Sequence, residues 1–143
     1  MSHGFAYPPE KLNKYPHFFP HDIAIWERFL DSDFNDFSGF DYDIKVGEGT
    51  ESPDSFGDNY RRLQEILSKY RIDVVGYKSN AIYIIEVKPE AGTVAIGQIE
   101  TYTRLYERDL KPTNRVIGMI VTDRELPDMR YLTSQKGIEY YIV

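Results

Sequence analysis

The chain has 143 residues, 41% of them hydrophobic and 28% charged, with a formal net charge of −6, values that suit one folded domain and argue against wholesale disorder. No apolar run approaches the roughly 20 residues of a membrane span, the first residues lack a secretory pattern, and the absence of cysteine excludes disulfides and thiolate metal sites. A cytoplasmic protein with no membrane partner is therefore expected, and its acidic balance leaves any nucleic-acid contact to a local basic patch.

Residues 1–20 form a Pro- and aromatic-rich arm, and residues 21–143 a single domain. Pro8, Pro9, Pro16 and Pro20 should hold the arm extended, with Tyr15, Phe18 and Phe19 as surface anchors. His17 and His21 have the spacing of a helical metal pair, but Pro20 stands between them and they are expected to be surface residues. The first helix should begin near Asp22 and run through Phe34. Glu27 falls beside Ile23, Leu30 and Phe34 at helical spacing. It is either a carboxylate turned toward the core, which needs a charged partner there, or a rim residue reaching water.

Residues 40–46 alternate as a strand does, and 47–59 are an acidic Gly/Ser/Pro-containing loop. A second helix is predicted over 60–70, with Tyr60, Leu63, Ile66, Leu67 and Tyr70 as its apolar stripe. Arg61, Arg62, Lys69 and Arg71 make the densest basic cluster of the chain, a weak pointer to phosphate contact. From Arg71 to Lys88 two β-rich arms flank Ser79-Asn80, the pattern of a hairpin. Pairing Lys78 with Ala81 and Gly76 with Tyr83 brings Asp73 opposite Glu86, and Lys88 shares the face of Glu86.

Beyond the Pro89–Gly92 break, Thr93 is the expected cap of a helix through Leu110, with Val94, Ile99, Tyr102, Leu105 and Tyr106 on its buried side. Gln98 and Tyr102, four residues apart, would both look back over the hairpin end. An apolar strand at 116–122, a short helix stopped by Gly137 and a last strand at 138–143 complete the order. The crossover helix between hairpin and apolar strand predicts an α/β fold with a mixed central sheet and helices on both sides.

Asp73 and Glu86 offer hard oxygen ligands on one face, the Val87 carbonyl a third oxygen, and Glu27 a further carboxylate. That set suits Mg2+ or Mn2+. Such an ion activates water and offsets phosphate charge, with Lys88 beside the reacting group. The plain alternative is a structural ion pair, Glu86 with Lys88 or Asp73 with Arg71.

Asp73, a gap of twelve residues and then Glu86-Val87-Lys88 resembles the signature of the PD-(D/E)xK nuclease superfamily. Gln98-x-x-x-Tyr102 is similar to the motif on the following helix of RecB-like members. From Arg71 to the C-terminus, including 136–140, the chain most resembles the catalytic domain of NucS/EndoMS-type endonucleases. Ile72 stands where the proline of the signature would be. The resemblance implies a restriction-endonuclease-like αβββαβ core, here with a loop and helix inserted at about 47–70. It also implies Mg2+ or Mn2+ and hydrolysis of DNA, by internal cuts rather than from ends. Glu27 becomes an auxiliary ligand, Asp73 and Glu86 the principal ones, and Lys88 the catalytic cation. Gln98 would position the attacking water or the lysine, and Tyr102 would contact substrate. The chain leaves no room for the N-terminal DNA-binding domain of NucS-type enzymes, so mismatch specificity is not carried over. Two other readings stay open on this core: a Holliday-junction resolvase acting as a homodimer, and a catalytically silent nucleic-acid-binding or assembly protein.

Overall fold

Pro20 opens a helix because its fixed φ and missing N–H cost nothing in the first turn. In the computed structural model, which describes residues 6–16, 18–49, 57 and 69–143, α1 spans Pro20–Asp31 with Phe19 at the cap position. Asp22, expected to start the helix, lies inside its first turn, where its carboxylate accepts the Phe19 N–H at 3.4 Å. The helix stops at Asp31 and the Ser32 hydroxyl donates back to the Phe29 carbonyl at 2.6 Å. Phe34, read as part of the helical stripe, therefore lies beyond the helix and is 46% exposed.

Five strands follow: β1 (Gly39–Val46), β2 (Tyr70–Lys78), β3 (Ala81–Val87), β4 (Arg115–Thr122) and β5 (Glu139–Ile142), with α2 (Thr93–Leu110) before β4 and α3 (Met129–Gln135) before β5. They form one sheet in sequence order. The β1–β2 and β2–β3 pairs are antiparallel, and β3–β4 and β4–β5 are parallel. The fold is thus α/β with a mixed sheet flanked by helices. The hairpin has the register expected of a two-residue turn, Lys78 with Ala81 and Gly76 with Tyr83. Among the described residues no helix is long and apolar enough to cross a membrane.

Each face of the sheet has its own core. On one, Trp26 and Phe29 of α1 pack with Phe40, Tyr42, Tyr83 and Met119. The Trp26 ring stacks on Phe29 at 5.1 Å, meets Phe40 edge-on at 5.0 Å, and its Nε1–H donates to the Tyr42 hydroxyl at 3.0 Å. Burying each such ring contributes about 1.5–3 kcal/mol. Gly76 is needed in β2 because a Cβ there would come within 2.7 Å of the Phe37 ring. The arm lies against this side: Tyr7 bridges Phe40 and its ring meets Tyr42, while Tyr15 is buried.

On the other face α2 sets Ala95, Ile96, Ile99, Tyr102 and Tyr106 against the sheet. Val94, expected on that buried side, is 67% exposed, because the 95–99–102–106 spacing defines the inward stripe and leaves position 94 facing out. Tyr70, assigned to a helix from sequence, opens β2 instead. Lys69, also assigned to that helix, lies in a bend before the strand, and residues 60–68 with most of the 47–59 loop lie outside the described residues.

One irregularity matters for the site. Side chains two apart on a strand share a face, yet Phe40 and Tyr42 join the α1 core while Ile44 and Val46 join the α2 core. The break falls at Asp43, whose φ is 57°. Asp is among the residues that tolerate this left-handed conformation. Asp43 also receives Arg71 in a bidentate pair, with Nε and Nη2 both at 2.8 Å.

Candidate active site: a carboxylate cavity at the open end of the hairpin

The β2–β3 ladder ends at Val74 and Ile85, and Asp73 and Glu86 are the next residues of their strands, where the Asp73 side chain takes up a backbone N–H of the β3 end. Their side chains fall on the face covered by α2. Glu86 is only 8% exposed. Asp73 is held by the Val87 backbone N–H, which donates to its Oδ2 at 3.1 Å. Burial raises the pKa of both, and each carboxylate bears on the other closely enough for the pair to share a proton. Two acids in contact on a buried surface favour a proton or a cation between them. Neither forms an ion pair within 4 Å with a basic side chain among the described residues. The ion pairs weighed from sequence are accordingly not made, and Arg71 turns to Asp43 instead.

These acids line a cavity of about 280 Å³, joined by Val87, Lys88 and Pro89 after β3 and by Phe19, His21 and Asp22 at the start of α1. The Lys88 backbone N–H bonds the Val121 carbonyl at 3.0 Å, which fixes the residue at the rim. The charge of Lys88 counters the rise in the Glu86 pKa, though less than burial and Asp73 promote it. Asp22 adds negative potential that raises the pKa of both site carboxyls further.

From the α2 side, Tyr102 approaches the same carboxylates. Its hydroxyl pKa is raised first by burial and then by Glu86 and Asp73, while Gln98 opposes the shift. The Tyr102 ring also meets Tyr70 at 5.9 Å. The buried Gln98 Oε1 has no hydrogen-bond partner among the described residues. Asp73, Glu86, Lys88, Gln98 and Tyr102 thus converge from β2, the β3 end and one face of α2.

Glu27 does not line this cavity. It follows Asp22 by five residues, roughly 140° round the helix and about 7 Å further along, and accepts the Tyr15 hydroxyl at 3.2 Å. Asp22 is the α1 carboxylate at the site, and sequence reasoning passed over it because it suited a helix start. His21 and Phe19 were also missed as site residues. The sequence signal for His21 is its four-residue spacing from His17, set aside because Pro20 stands between them, and Phe19 reads as a surface anchor of the arm. Of the basic cluster, Arg71 is engaged by Asp43 and the charge of Lys69 acts on Asp109. Arg61 and Arg62 lie outside the described residues.

Among the described residues no group of three or more Asp, Glu or His side chains is disposed to hold one metal ion. A two-carboxylate site nevertheless fits Mg2+ or Mn2+, which are usually held by one or two carboxylates and complete their shell with waters and substrate phosphate. The two closely placed carboxyls, whose pKa values burial raises, are the feature such an ion would relieve. Scans against protein-family models, curated proteins and solved structures return no match.

Proposed function

We propose that the protein is a metal-dependent nuclease that hydrolyses DNA phosphodiester bonds, by internal cuts, in the cytoplasm. The observation that carries this reading is the close pair of buried Glu86 and half-buried Asp73, without an ion-pair partner among the described residues, in a cavity that Lys88 also lines. A bound Mg2+ or Mn2+ would supply Lewis-acid stabilisation of phosphate charge and a water of lowered pKa. Asp73 and Glu86 would hold the ion, with the Val87 carbonyl beside them. Asp73 is oriented for that work by the Val87 N–H. Lys88 has no ion-pair partner among the described residues, so its ammonium is available to offset charge on a phosphate in the cavity. Asp22, in the lining of the same cavity, would serve as the auxiliary carboxylate first expected of Glu27. Gln98 and Tyr102 would hold the inner wall of the site and exclude bulk water from the acids.

The resemblance to PD-(D/E)xK and NucS-type enzymes supports the same reading through residues that converge in space. Purified protein should nick plasmid DNA with Mg2+ or Mn2+ and stay silent with chelator. Glu86→Ala and Lys88→Ala should each abolish cleavage while leaving the circular dichroism spectrum unchanged. Full activity in both variants would overturn the assignment.

A further inference from the structure

A second cavity, of about 170 Å³, opens on the other flank of α2, between that helix, the start of β4 and the turn leading into β5. Its size corresponds to roughly five or six water volumes at about 30 Å³ each. Three basic residues from three separate elements line it: Arg104 of α2, Arg115 of β4, and Lys136 at the end of α3. Glu100 is the one acid in the lining. In a chain of net charge −6, three cations against one acid is a reversal of the local balance.

The cations are incompletely neutralised. Lys136 Nζ meets Glu100 Oε1 at 3.1 Å, and Arg104 meets Glu107 at 3.7 Å from an 81% exposed side chain, a weak surface contact. Arg115 forms no ion pair among the described residues. The Thr103 hydroxyl is buried in the same wall with no hydrogen-bond partner among them. Thr in a helix interior commonly bonds the carbonyl four residues earlier, and here that bond to Ile99 is not made. Gly118 lets α2 pack closely on β4 beside the cavity, since a Cβ there would sit 2.3 Å from the Ile99 side chain.

We infer that this cleft binds a phosphate group. Arg115 and Lys136 together match the charge of a phosphate dianion, with Arg104 at the mouth, and Thr103 in the wall carries a hydroxyl with no partner among the described residues. The phosphate would compete with Glu100 for Lys136 and leave Arg115 as the principal contact. The site lies apart from the Asp73–Glu86 cavity and does not depend on the nuclease reading. A free phosphate and a nucleic-acid backbone phosphate present the same chemistry to it.

The test is a titration of the full-length, isotope-labelled protein with inorganic phosphate, followed through the Gly118 and Gly137 amide resonances, with chloride at equal ionic strength as control. Saturable shifts are expected in the wild type and equally in Glu86→Ala. Affinity should fall about tenfold or more in an Arg115→Gln, Lys136→Gln double variant and severalfold in Thr103→Val, which keeps the volume of the side chain. A short single-stranded oligonucleotide added to the Glu86→Ala protein separates the sources. Shifts at the same amides identify a backbone phosphate, and shifts with inorganic phosphate alone identify a free one. Absence of saturation, reproduction of the shifts by chloride, or undiminished affinity in the double variant would overturn the inference.

Discussion

At the turn end of the β2–β3 hairpin, Lys78 meets Asp36 at 2.7 Å and lies over the rings of Phe37 and Tyr83, 4.6 and 4.8 Å from their centroids. At the open end, Lys88 has no ion pair among the described residues, and burial raises the pKa values of Asp73 and Glu86, that of Glu86 further through the charge of Asp73. Both ends place charge beside apolar surface, where an unmatched charge is costly. The turn end resolves that cost within the chain. The open end leaves it for a proton, a cation or a phosphate to resolve, which distinguishes a site from a staple.

The largest effect that would break this comparison is on catalysis. Glu86→Ala and Lys88→Ala should each lower metal-dependent DNA cleavage by about 10²–10³-fold or more, measured as plasmid nicking. Lys78→Ala should leave it unchanged.

A second test concerns stability without metal. Asp73 and Glu86 have folded-state pKa values raised above their ordinary ones, so the folded state binds more protons than the unfolded chain does. Their contribution is fully present below the ordinary carboxylate range and is lost as pH rises through the raised values. Glu86→Gln, which stays neutral, should therefore be more stable than the chelator-treated wild type at alkaline pH, by on the order of 1–3 kcal/mol. That advantage should shrink on acidification, and added Mg2+ should stabilise the wild type more than the variant. Urea unfolding across a pH series reads all three.

Asp22 and Glu27 sharpen the assignment on α1. Asp22→Asn should raise the metal concentration needed for half-maximal activity about tenfold, the lower range for a residue that supports a metal site. Glu27→Gln should leave it unchanged and only loosen the contact with Tyr15. Reversed outcomes would restore Glu27 to the role expected from sequence.

The smallest effect belongs to the staple. Lys78→Ala should cost about 1 kcal/mol of unfolding free energy, since its cation–π contacts and partly exposed ion pair are each worth no more than that. A loss of activity in this variant would mean that the two hairpin ends are coupled.

The hairpin was legible in the sequence because its information is local. β-branched residues on either side of Ser79-Asn80 determine the register as far as Val74 and Ile85, and Asp73, Glu86 and Lys88 follow directly beyond it. The α2 contribution was readable for the same reason, since a four-residue spacing puts Gln98 and Tyr102 on one helical face. Which α1 carboxylate reaches the site was not local. It depends on where the helix starts and how it is rotated against the sheet, and burial of Ile25, Trp26, Phe29 and Leu30 sets that rotation. The face change at Asp43 was hidden as well, because a left-handed residue is chosen by its neighbours across the strand, Arg71 among them. Likewise only the folded chain brings Arg104, Arg115 and Lys136 to one cleft. The sequence by itself determined the element order and the acidic hairpin, through short-range periodicity. Tertiary packing decided which distant charges meet that hairpin, because core burial orients helices with no regard to the charges they carry on their outer faces.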